Sequence, residues 1–113
     1  MATTRYKVRF RYVWTVYYDL STNGSVVVTN YKTKSLAVEA MRKTLNLWLK
    51  EPKGVSEERQ ETIRALLSLG TESGVTDAAS EWADAQEASG VMNRDTIWLD
   101  LSRLVLSRKK VAS

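Results

Sequence analysis

The chain has 113 residues, of which 43% are hydrophobic and 27% charged, and its formal net charge is +4. This length fits one domain with its own core, and the composition is too apolar for a disordered chain. Because it has no cysteine and no histidine, disulfides, thiolate chemistry, a Ser-His-Asp triad and the usual zinc sites are excluded. We therefore expect a single domain over residues 1–113 that is not an enzyme and uses no cofactor or metal.

The charge is distributed unevenly along the chain. Residues 1–53 hold ten Lys/Arg and three Asp/Glu, residues 54–90 hold two and eight, and residues 91–113 hold five and two. An acidic middle therefore separates two basic regions. No apolar run approaches the length of a membrane span, and the N-terminus has no signal-peptide pattern, which predicts a cytoplasmic protein with no membrane partner.

The first predicted element is a long β-strand over residues 5–18. Its even positions are aromatic or β-branched, and its odd positions begin with four cations, Arg5, Lys7, Arg9 and Arg11. Alternate residues of a strand point to opposite faces of the sheet. The strand is therefore expected to have an aromatic face towards the core and a basic face towards water.

A second strand should follow through a tight hairpin. Asn23-Gly24 is typical of a two-residue turn, because both central residues of a type I′ turn need positive φ. A loop of only those two residues predicts the pairs Leu20–Val27, Tyr18–Thr29 and Val16–Tyr31. Residues 27, 29 and 31 would then lie on the aromatic face.

Three helices are predicted after the hairpin. They span residues 36–50, about 57–69, and a shorter stretch from after Thr76 to Gly90. Ser35 and Ser56 are the expected N-caps of the first two.

The last segment, residues 95–110, fits either a strand or a helix. We favour a strand, because residues 5–13 extend beyond the second strand and their backbone groups need a partner. The predicted fold is α+β: a small antiparallel sheet with two to three helices packed on its aromatic face, in the order β-β-α-α-α-β.

The basic face is the leading candidate for a binding site. Alternate residues on a strand are about 6.6–6.8 Å apart, close to the phosphate spacing of an extended nucleic-acid strand. We expect the nucleic-acid contacts to come from Arg5, Lys7, Arg9, Arg11, Tyr17, Lys32 and Lys34. The alternative is an ordinary solvated sheet face or a charged edge that prevents aggregation.

Other patterns are less specific. Asp77, Glu81 and Asp84 line one helix face, which is typical of a solvated surface but could hold a hard cation or a basic partner. The cluster 108–110 is expected to be a solubilising tail or a helix C-terminus, or to bind phosphate. Trp98 would lie on the face opposite the core if its segment is a strand, where it would be partly buried or contact a partner.

The sequence therefore predicts a non-enzymatic module that binds nucleic acid through a basic β-hairpin face. The alternative is a small protein-interaction module, such as an inhibitor or adaptor of the kind that mobile elements encode, which docks a protein through the basic face or the acidic helices. Complementary charges and an open sheet edge also make a homodimer an expectation.

Overall fold

A computed structural model describes the backbone of residues 5–20, 25–52, 54–90 and 95–111, and the side chains of residues 7–19, 26–52, 54–90 and 95–104. The elements are β1 (Arg5–Leu20), β2 (Ser25–Tyr31), α1 (Lys34–Trp48), α2 (Glu57–Ser68), α3 (Glu72–Ser89) and β3 (Asp95–Val111). The α+β class and the order β-β-α-α-α-β are confirmed. No helix among these described residues is both long enough and apolar enough to cross a membrane.

The three strands form one antiparallel sheet in the order β2-β1-β3. The ambiguous C-terminal segment is a strand, as expected, and it pairs along the whole of β1, from Arg5↔Val111 to Leu20↔Asp95. Strand β2 pairs with only the second half of β1, so β3 supplies the backbone partners that residues 5–13 need.

The hairpin register differs from the predicted one by two residues. Tyr18 pairs with Val27 rather than with Thr29, and the strands end at Leu20 and Ser25. The connection therefore has four residues instead of two; Asn23-Gly24 itself lies outside the described residues. A shift of two preserves the side-chain alternation, which is why the prediction of the faces survives the error in register.

Helices pack on the aromatic face of the sheet. Their largest fully buried side chains include Trp82 of α3, Met41 and Leu45 of α1, and Ile63 of α2. From the sheet, Val16 and Ile97 join the same core, with Trp14, Tyr18, Tyr31 and Leu99 partly buried against it. Each helix therefore turns one apolar face towards this core.

The helix starts are set by side-chain caps. Ser56 caps α2, as predicted, because its hydroxyl accepts a hydrogen bond from the backbone N–H of Arg59. The predicted cap of α1, Ser35, is wrong: the hydroxyl of Thr33 accepts from the N–H of Leu36, and the helix begins at residue 34.

Helix α3 is the longest helix rather than a short one. It begins at Glu72, capped by the hydroxyl of Thr71, and ends at Ser89, with Gly90 as its C-cap at a φ of 69°. The predicted start after Thr76 is therefore wrong. Gly74 lies buried in the first turns, where a Cβ atom would be 2.5 Å from the carbonyl oxygen of Leu66. This glycine, which weakens the helical pattern in the sequence, allows α3 to approach α2 closely.

The helices cover only part of the sheet. At about 3.3 Å per residue, the 16 residues of β1 extend for about 53 Å, whereas the 18 residues of α3 extend for about 27 Å. Residues 5–13 of β1 and 102–111 of β3 therefore project as a two-stranded ribbon, which we call the arm. The longest dimension of the molecule is 65 Å, and its radius of gyration is 18.6 Å, against about 13 Å for a compact chain of this length.

Candidate nucleic-acid interface

One side of the arm carries a row of three exposed cations. Lys7, Arg9 and Arg11 are all exposed and occupy alternate positions of β1, so they point the same way. We call these three residues the basic side of the arm. Arg5 begins the same strand and pairs through its backbone with Val111, but its side chain lies outside those described.

These cations are not neutralised by the described carboxylates. Within the side chains that the structure describes, the ion pairs join Lys34 to Glu72, Arg42 to Glu39 and Arg59 to Glu81. None of them involves the basic side of the arm. A side of three exposed cations without a described counter-charge attracts an anionic ligand.

The C-terminal cluster 108–110 belongs to the arm rather than to a tail or a helix end. Its backbone pairs with Tyr6, Lys7 and Val8, which places it in β3. The side chains of this cluster lie outside those described. The alternative of a helix C-terminus is therefore wrong, because the segment is extended.

The basic face of the sheet ends where the arm meets the rest of the sheet. Val13 and Thr15 follow Arg11 on this face and are almost fully buried, at 2% and 1% exposure. The Thr15 hydroxyl donates to Oδ1 of Asn30, 2.9 Å away. The basic face predicted from the alternation is therefore present on the arm, but further along β1 an exposed carboxylate, Asp100, lies on the same face opposite Thr15.

Tyr17 lies about 20 Å further along the strand from Arg11, since six residues separate them. Its ring stacks on Trp98, with centroids 5.2 Å apart and planes 9° apart. Val26 and Val28 lie on the same side of the sheet and are also exposed. We call these four residues the open face, because no helix covers them.

The two remaining lysines of the predicted site lie elsewhere. Lys32 is exposed just after the end of β2. Lys34 lies on the helix-covered face instead: its Nζ is 5.3 Å from the centroid of the Trp14 ring and 3.4 Å from Oε2 of Glu72. The structure therefore does not bring Lys34 together with Lys7, Arg9 and Arg11.

The other side of the arm is aromatic and also exposed, which the sequence analysis missed. Phe10 and Tyr12 contact each other edge to face, 5.8 Å between centroids, and Arg103 lies over Phe10 at 4.8 Å. With Val8, these residues form what we call the aromatic side of the arm, and Leu101 continues it at the base. The sequence did contain a signal for this exposure. A 14-residue strand is longer in space than each of the predicted helices, so the helices could not cover all of it.

The carboxylates of α3 do not form a metal site among the described residues. Oε1 of Glu81 accepts a hydrogen bond of 3.2 Å from Arg59, while Asp77 and Asp84 are exposed. No group of three potential ligands in the described part of the chain could hold a metal ion. With Glu57 and Glu58 at the start of α2, they make the helical surface acidic.

The chain was compared with protein-family models, curated proteins and solved structures, and none of them matches it. The assignment of a function therefore rests on the residues of the arm and the sheet.

Proposed function

We propose that this chain is a non-enzymatic module that binds nucleic acid through the basic side of the arm. The observation that carries the proposal is the placement of Lys7, Arg9 and Arg11 at alternate positions on a projecting two-stranded ribbon. The proposal includes a cytoplasmic location, where nucleic acid is available as a ligand.

The dimensions of the arm suit a nucleic-acid groove. The major groove of B-form DNA is about 12 Å wide and admits a two-stranded β-ribbon. Cations about 6.7 Å apart can contact successive phosphates of one strand. Two of the three are arginines, whose planar guanidinium groups can bind phosphate through two parallel hydrogen bonds.

The acidic helices make the charge distribution of the molecule asymmetric. Residues 54–90 carry a net charge of −6, from two Lys/Arg and eight Asp/Glu, and they belong mostly to α2 and α3. A polyanion is repelled by these helices and attracted by the arm. The charge distribution therefore favours a complex in which the arm enters the ligand and the helices face away.

A charge-reversal experiment tests the proposal. The double variant Arg9→Glu/Arg11→Glu should reduce the affinity for a fluorescent duplex by at least about tenfold at low salt in an anisotropy titration. The matched control is Lys43→Glu/Lys50→Glu, which makes the same change in net charge at exposed positions on and just after α1. Far-UV circular dichroism checks that both variants are folded.

The control separates local contacts from overall charge. If binding depends only on net charge, both double variants lose affinity equally, and the proposed interface is wrong. The proposal is also wrong if the parent protein binds neither duplex nor single-stranded oligonucleotides at low salt.

The open face favours a second candidate function, a protein-interaction module of the inhibitor or adaptor type. Trp98 and Val28 are 43% and 52% exposed there, and aromatic side chains of this kind are enriched at protein interfaces. A pull-down from nuclease-treated lysate distinguishes the two functions. Protein captured by the parent but not by Trp98→Ala supports this candidate, whereas loss of all partners after nuclease treatment contradicts it.

A further inference from the structure

We infer that the aromatic side of the arm is the interface between two copies of this chain. This inference is independent of nucleic-acid binding, because it concerns the side of the arm opposite Lys7, Arg9 and Arg11. It also differs from the homodimer expected from charge, which would join basic and acidic regions.

An uncovered two-stranded ribbon needs a partner. Two strands alone are marginally stable in water, and a third strand or a packed layer is usually required. The three-stranded part of the sheet ends at Trp14, where β2 ends. Trp14 still packs against the core cluster, whereas Phe10 and Tyr12 belong neither to the cluster nor to the residues packed against it. The arm therefore extends beyond both of the layers that stabilise the rest of the sheet.

The exposed side chains on the aromatic side are those that usually form an interface. Val8 is 41% exposed, Phe10 42%, Tyr12 62% and Leu101 48%. The charged residue described on this side, Arg103, lies over the ring of Phe10. Aromatic residues and arginine are enriched in the centres of protein interfaces, and other charged residues are depleted there.

The surface of the whole chain is large enough to supply such an interface. The chain exposes 7814 Å², whereas a compact monomer of 12.8 kDa exposes about 6,300 Å². The excess is about 1,500 Å², and a standard interface buries about 800 Å² on each partner. An interface that buries this area on each chain would reduce the exposed surface of the chain towards the value for a compact protein.

A second copy fits this side better than a charged partner does. Two-fold dimers use the same surface on both subunits, and the aromatic and aliphatic side chains of this side can pack against those of a second copy while Arg103 stays over Phe10 in each. Packing aromatic side to aromatic side places the two basic sides on the outside, so the like charges of Lys7, Arg9 and Arg11 do not meet. The dimer would then present two cationic ribbons for one ligand.

Sedimentation equilibrium up to about 100 μM, after nuclease treatment and in high salt, tests the inference, since interfaces of this size have Kd values from μM to pM. We expect the parent protein to have twice the monomer mass of 12.8 kDa. Tyr12→Asp should sediment as a monomer. The matched control, Val28→Asp on the opposite face of the sheet, should remain a dimer.

Each other outcome overturns the inference. A monomeric parent contradicts it, as does a dimer that persists in Tyr12→Asp but is lost in Val28→Asp, which would place the contact on the open face. A dimer that is present before nuclease treatment and absent after it would show that nucleic acid covers the aromatic side instead.

A second measurement applies if Tyr12→Asp fails to fold. The chain has no cysteine, so a single cysteine can report on burial. The thiol of Leu101→Cys should react slowly with a maleimide at high protein concentration and faster on dilution, because the interface protects it. The thiol of Val28→Cys should react equally fast at both concentrations. Equal rates for both variants at every concentration contradict the interface.

Discussion

The indole Nε1 of Trp82 donates a 2.8 Å hydrogen bond to the backbone carbonyl of Asp95. The backbone N–H of the same aspartate donates to Oε1 of Gln86, also at 2.8 Å. Both backbone polar groups of the first residue of β3 are therefore bound by side chains of α3. Because β3 pairs with β1 along its length, these two bonds also help to set the register of the arm.

Replacing Trp82 with phenylalanine should destabilise the protein by about 2–4 kcal/mol. The change leaves the Asp95 carbonyl without its donor and removes part of a side chain that is 2% exposed. Urea unfolding followed by far-UV circular dichroism measures the effect. Trp98→Phe, at an exposed position, should cost less than about 1 kcal/mol. Equal losses would contradict the structural role of Trp82.

Gly74→Ala should destabilise the protein by about 1–3 kcal/mol, although alanine is the better helix former. The added methyl group would lie 2.5 Å from the carbonyl oxygen of Leu66 and force α2 and α3 apart. Ser80→Ala, at an exposed position of the same helix, should leave stability unchanged or slightly higher. Thermal unfolding measures the stability of both variants. An increase in stability for Gly74→Ala would refute the close helix contact.

The two candidate caps of α1 should respond differently to alanine. Thr33→Ala removes the hydroxyl that accepts from the N–H of Leu36 and should cost about 0.5–2 kcal/mol. Ser35→Ala changes an exposed residue inside the first turn and should cost less than about 0.5 kcal/mol. Chemical denaturation compares the two variants, and a larger loss for Ser35→Ala would mean that the helix begins later.

The ion pair of α1 predicts a dependence of stability on pH. The hydrogen bond from Arg42 holds the pKa of Glu39 below its ordinary value of 4.5. A carboxyl group with a lowered pKa in the folded state stabilises the protein above its unfolded value, and this contribution is lost as the pH falls through the folded value. The stability difference between the parent and Glu39→Gln should therefore shrink between about pH 7 and about pH 3.

Urea titrations across that range provide the measurement for the pair. Arg42→Gln removes the other partner, so its difference from the parent should shrink over the same range. A difference that stays constant with pH in either variant would show that the pair does not shift the titration of Glu39.

The alternation of β1 was enough to predict the strand, its two faces and its need for a C-terminal partner. Backbone hydrogen bonds must be satisfied, and this requirement identified residues 95–110 as a strand although their side chains also fit a helix; the observed strand is Asp95–Val111. The register of the hairpin could not be derived as reliably as the strand and its two faces. Asn23-Gly24 indicates a turn, but loop length depends on how the strands twist and pack, and two registers two residues apart bury the same face.

The site was predicted less completely than the fold. The cations of the arm were identified from their spacing, and the structure leaves Lys7, Arg9 and Arg11 together and exposed. Lys34 was misplaced, because its position at the start of α1 directs it to Trp14 and Glu72 on the other face. Tyr17 was expected on the same face as the cations and lies on that face, but about 20 Å from Arg11 along the strand, where its ring stacks on Trp98.

The most direct test of nucleic-acid binding by the arm is the dependence of affinity on salt. For the parent protein on duplex DNA, log K should fall with log salt with a slope of about −0.9 for each phosphate contacted. Arg9→Glu/Arg11→Glu should reduce the magnitude of that slope by about two, since two phosphate contacts are lost. An unchanged slope in this variant, or an equal reduction in Lys43→Glu/Lys50→Glu, would contradict binding through the basic side of the arm.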